Sequence, residues 1–159
     1  MIIALIIACL LLGTIFLQDI TSRSIWWFLP PLLFGTFIVY RWTDFSWMTL
    51  GFNIAFIALL MAFLFVYIRF RFGNPELFFK QYFGLGDLLF ILALTPLLSF
   101  QHFILFFTIG TFSTLLIHGI ILLFKKQATI PYAGYFSLVT LAYLLLLQSG
   151  TDVFHFIQV

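Results

Sequence analysis

Apolar residues run along this chain in long blocks, and the polar positions gather between the blocks. Six apolar stretches result, roughly 2–17, 25–40, 47–68, 83–100, 103–124 and 131–147. A helix needs about 20 residues to cross the hydrocarbon of a bilayer, with a working range of about 17–25. The third and fifth stretches reach that length readily. The first, second and sixth fall about a residue short, so flanking aromatic and polar residues complete the crossing. Strands of a membrane barrel alternate in polarity over about 10 residues, a pattern these blocks do not follow. The expectation is an all-α membrane protein: six transmembrane helices in one bundle, with residues 1–159 forming a single transmembrane domain.

The first stretch has no charged residue before Asp19 and no small-x-small cleavage site after it. It therefore reads as a retained helix and not as a removable signal.

Composition supports the class. The chain is 64% hydrophobic and has seven Lys or Arg and five Asp or Glu, with a mean hydropathy of +1.22. So few charges cannot cover a soluble core of 159 residues. The net charge of +2 is spread out, which argues against a nucleic-acid partner. One cysteine, Cys9, allows no internal disulfide and no thiolate metal cluster.

Charge placement predicts orientation. Arg23, Arg69, Arg71, Lys80, Lys125 and Lys126 follow the first, third and fifth stretches, whereas Arg41 alone lies on the other side. The positive-inside rule makes the first set cytoplasmic and places both termini outside. Trp26, Trp27, Trp42 and Trp47 sit near helix ends, as an interfacial aromatic belt requires. The 24 phenylalanines read mostly as lipid-facing bulk. Pro30, Pro31 and Pro96 read as kinks in their helices. "GNPELFFKQYF" reads as a short interfacial helix, with Asn74 capping it, Glu76 at its positive end and Lys80 toward water.

Two carboxylates then fall at similar depth on the cytoplasmic side: Asp19 at the end of the first helix and Asp87 near the start of the fourth. Ionisable groups in a bilayer are costly and usually face the bundle interior, which makes each a functional candidate. Asp19 also has a plain reading, as a helix-end charge paired with Arg23. Asp87 has no cation within one turn. If the two helices pack together, like charges at close range cannot both ionise comfortably, so the pair shares a proton. Such a pair can activate water and donate to a carbonyl oxygen, as in aspartic proteases. Gly84 and Gly86, lacking Cβ atoms, would let a peptide backbone approach Asp87; the alternative reading of Gly-x-Gly is close helix packing. His102 and His118 share one helix without further convergent ligands, so no metal site is expected. His118 reads as an interhelical hydrogen-bond donor.

These residues resemble a known family. "GLGD" is similar to the Gly-x-Gly-Asp signature of intramembrane aspartic proteases. "QDITSRSI" resembles the Asp-x-x-x-Arg-x-Ile element of type IV prepilin and preflagellin leader peptidases. "TIPYAGYFSLVTLAYL" is similar to the Ile-Pro-Phe-Gly-Pro-Phe segment opening that family's last helix. The resemblance implies that Asp19 and Asp87 are the catalytic pair, with Gly84, Gly86, Arg23 and Pro131 shaping the site or binding substrate. It also implies removal of a short basic leader from a prepilin-like or pseudopilin precursor at the cytoplasmic face, without a cofactor or metal. The chain departs from the family at Trp26-Trp27, where many members have Pro-Asn or Pro-Asp, and at Leu89, where many have Lys. It has no room for the cytoplasmic domain that carries zinc-binding cysteines and N-methyltransferase activity in larger relatives. The implied protein is a peptidase alone in the cell membrane, with lipid and the precursor as partners. Two rival readings remain at this point: a small proton- or cation-coupled transporter, and an inactive assembly partner of the same family.

Overall fold

The structure is a computed structural model that describes residues 2–72, 84–124 and 129–149. The expected interfacial helix at 73–83 lies outside the described residues, as do Lys125, Lys126 and Asp152. Six helices occur in the order α1 (Ile2–Ser22), α2 (Leu29–Tyr40), α3 (Trp47–Phe72), α4 (Leu85–Leu94), α5 (Phe100–Phe124) and α6 (Tyr132–Gln148), and no strand is present among the described residues. The chain is an all-helical membrane protein in which α1, α3 and α5 are long and apolar enough to cross a bilayer. The helices α2, α4 and α6 are shorter.

Three boundaries differ from the sequence expectation, each for a local reason. First, α1 continues to Ser22 and takes Asp19 into its last turn. At the start of α2, Pro30 and Pro31 lie in the first turn, where their missing N–H groups would have had no intrahelical partner. They therefore begin a helix and do not kink one. Finally, α4 stops at Leu94: Thr95 still has helical backbone angles (φ −60°, ψ −30°), and Pro96 after it has no N–H to continue the ladder. The amide that Pro96 lacks would have bonded the Leu92 carbonyl, and the Thr95 hydroxyl takes that acceptor instead at 2.7 Å. Beyond this stop, the buried Asn53 side chain of α3 donates to the carbonyls of Thr95 (2.8 Å) and Leu98 (2.9 Å).

Packing centres on α1, which lies against α6 and α2, while α2 also packs on α4 and α6 on α5. The core contains Leu12, Ile15, Leu33, Phe37, Phe90, Ile91, Leu94 and Phe136. Several phenylalanines thus serve the interior and not the lipid face. The Phe136 ring meets Phe90 edge-on at 6.0 Å between centroids and Phe106 at 5.6 Å, arrangements that aromatic quadrupoles favour. Gly110 of α5 makes room for this ring, since a Cβ there would overlap it. Many residues on α3 and the second half of α5 present large apolar side chains outward, as lipid-facing helices do.

Candidate active site

The site is built where three helix ends meet. Helix α6 begins after Pro131 with no Ser, Thr, Asp or Asn to cap it, and Pro131 makes no side-chain cap bond. Its early amides therefore need acceptors from elsewhere. Two other helices supply them. The Gly134 N–H donates to Oδ2 of Asp19 at 2.6 Å, and the Ala133 N–H donates to Oδ1 of Asp87 at 3.2 Å. Consecutive amides of one helix turn thus hold both carboxylates, residues 68 positions apart (87 − 19). The two acids lie within electrostatic reach of each other, and Arg23 lies within reach of Asp19.

The local settings of the two acids differ. Asp19 stands in the last turn of α1, the negative end of that helix, and is buried at 6% exposure. A carboxylate is disfavoured there on its own, but the amide end of α6 offsets this. Asp87 is in the first turn of α4, where the positive end of the helix suits an acid, and is half-buried.

The other expected site residues are placed as follows. Gly84 is the N-cap of α4, and a Cβ on it would lie 3.0 Å from Oδ2 of Asp87. Gly86 faces away from that oxygen: a Cβ there would meet Ile25 at 3.5 Å, an ordinary contact. Pro131 is buried at the head of α6. Arg23 donates from Nη1 to the Thr129 carbonyl at 2.9 Å. Leu89 and both tryptophans of the Trp26-Trp27 pair are exposed. The buried His118 ring lies beside Tyr135 (6.1 Å between centroids), and its Nδ1 has no hydrogen-bond partner. Among the described residues, no three His, Cys, Asp or Glu side chains converge.

Sequence reasoning did not anticipate Ala133 and Gly134, which act through backbone amides that no side-chain motif announces. One signal was available: an apolar helix starting at Ile130-Pro131 without a capping side chain must satisfy its amides from a neighbour. Gly134 is also tightly matched to its partner, since a Cβ there would lie 3.1 Å from both Cβ and Oδ2 of Asp19.

An all-helical membrane protein with two acids joined on one helix end defines the class of molecule. The model of the type IV leader peptidase family matches residues 6–120, and the chain belongs to that family. The match includes both acids but stops short of α6, which holds them. No curated protein and no solved structure matches the chain. Membership carries a leader-peptidase type of function in general terms.

Proposed function

We propose that this chain is an aspartic endopeptidase that removes the short basic leader of a prepilin-like precursor at the cytoplasmic face of the cell membrane. The observation that carries this reading is the seating of Asp19 and Asp87 on the adjacent amides of Gly134 and Ala133. Two carboxylates seated on neighbouring amides repel each other when both are ionised, so on this reading the pair holds one proton. The ionised member takes a proton from water, and the water oxygen bonds to the carbonyl carbon of the scissile peptide. The protonated member gives its proton to the carbonyl oxygen. The resulting tetrahedral diol then collapses: the carbon–nitrogen bond breaks, and the amine leaves with a proton returned by the pair. The amides that hold both acids fix them without a solvent rearrangement during the reaction.

On this reading all six helices serve as spans, both termini face outward, and the site opens to the cytoplasm, following the placement of Arg23, Arg69 and Arg71. No cofactor takes part, and membrane lipid is the second partner. On this reading the chain acts as a peptidase without N-methyltransferase activity, since the resemblance puts that activity in a domain with several zinc-binding cysteines and this sequence has one cysteine.

The test is cleavage of a co-expressed prepilin-like precursor from the same genome, read as a mobility shift. Wild type should cut, and Asp19→Asn and Asp87→Asn should not, at equal membrane insertion. Cleavage that survives both substitutions defeats the reading and moves the transporter forward. If wild type cuts no precursor, the inactive assembly partner, which Leu89 in place of lysine favours, replaces it.

A further inference from the structure

The connection between α1 and α2 touches both of the other helices that form the site. Arg23 has a left-handed backbone, with φ of 54°. Its own N–H donates to the Asp19 carbonyl at 3.2 Å, closing the end of α1. Its guanidinium then reaches the Thr129 carbonyl, two residues before Pro131 and the start of α6. Two residues on, the Ile25 side chain packs against the bare Cα of Gly86, on the same turn of α4 as Asp87. The Trp26 N–H bonds back to Oε1 of Gln18 on α1 at 3.2 Å, so the segment is anchored at its origin.

We propose that Arg23–Trp26 is a clasp that sets the register of the two acids, with Arg23 and Ile25 as positioning residues. Arg23 ties the entrance of α6 to the end of α1, and Ile25 ties α4 to the same segment. The three helix ends carrying Asp19, Asp87 and the two amides are thereby held by one short connection. An arginine in the left-handed region is strained relative to glycine, because its Cβ crowds the following carbonyl. A residue chosen for the turn alone would be glycine. The guanidinium contact with Thr129, beside the charge Arg23 places within reach of Asp19, gives an arginine a use here that glycine lacks. This role also differs from gripping the substrate, since a basic leader would be repelled by a guanidinium.

The kinetic part of this inference rests on the peptidase reading; the structural part does not. Arg23→Gly relaxes the backbone and removes the tether, Arg23→Lys keeps a donor able to reach a carbonyl, and Ile25→Ala removes the contact with Gly86. Hydrogen exchange of the full-length protein in detergent reports on the Ala133 and Gly134 amides. In Arg23→Gly these amides should lose protection while the unfolding temperature stays level or rises, and Arg23→Lys should restore much of the protection. In the cleavage assay, Arg23→Gly and Ile25→Ala should lower kcat by about 10- to 100-fold, the range expected for a misplacement of about 1 Å. Their KM should be unchanged. Unaltered exchange at 133–134 in Arg23→Gly overturns the clasp, whether or not any precursor is cut. A raised KM with kcat intact also overturns it, because Arg23 would then contact substrate. If wild type cuts no precursor, the peptidase reading fails, while the exchange result still decides the clasp.

Discussion

Gly134 and Gly84 are the residues at which one added methyl group should matter most. At Gly134 the new Cβ would press on both Cβ and Oδ2 of Asp19 at 3.1 Å. That distance is tighter than ordinary packing, and the buried Asp19 has little room to withdraw. Gly134→Ala should therefore cut the cleavage rate by about 10- to 100-fold, with the protein still folded and inserted. The two glycines of the GLGD motif should separate in the same assay. Gly84→Ala crowds Oδ2 of Asp87 at 3.0 Å, whereas Gly86→Ala makes only a 3.5 Å contact with Ile25. Initial rates should fall for the first and stay near wild type for the second. Equal losses would mean that both glycines face the substrate backbone. A sequence shows both as the same letter with the same missing Cβ. Only the packing of the α1–α2 connection assigns them different neighbours.

At the scale of elements, the start of α6 is capped by acids from α1 and α4. An Asp→Asn change keeps an oxygen acceptor, while Asp→Ala removes it. Asn variants at 19 and 87 should thus lose cleavage with little loss of stability. Ala variants should lose cleavage and also about 1 kcal/mol or more of stability, the usual worth of an N-cap. Unfolding in detergent would show the difference. The seam between α5 and α6 offers a second test. Gly110→Ala drives a methyl group into the fully buried Phe136 ring and should destabilise by about 1–3 kcal/mol, as overpacking does. Asn53→Leu strips the Thr95 and Leu98 carbonyls of their donor, leaving buried acceptors whose loss is worth about 1–3 kcal/mol each. The prolines show why element ends were harder to read than element order. Block length and polarity predict that six helices exist. A proline within a block is equally consistent with a kink, a start or a stop. Pro30 and Pro31 proved to be a start, and Pro96 follows a stop, because neighbouring carbonyls and hydroxyls decide which outcome is least costly.

For the molecule as a whole, the proposed orientation rests on a handful of cations, and it can be checked without any substrate. In a Cys9→Ala background, a cysteine at Ser24 should react with an impermeant maleimide only when the cytoplasmic side is accessible. One at Ser46 should react from the opposite side. The reverse pattern would place the acids on the wrong face for a leader held in the cytoplasm. Asp87 stood out as a candidate because a carboxylate in an apolar run with no cation within one turn has few structural explanations, and Asp19 joined it only by lying at a similar depth. Their meeting point was not legible, because the groups that join them belong to the main chain. A further consequence concerns assembly. Helix α6 has no capping side chain of its own, and its Ala133 and Gly134 amides find their acceptors on α4 and α1. Until α1 and α4 have come together, the start of α6 lacks the two carboxylates that cap it. On the proposed reading, docking the entrance of α6 and joining the two acids are therefore a single event, so a chain in which this helix has seated is a chain in which the pair has met.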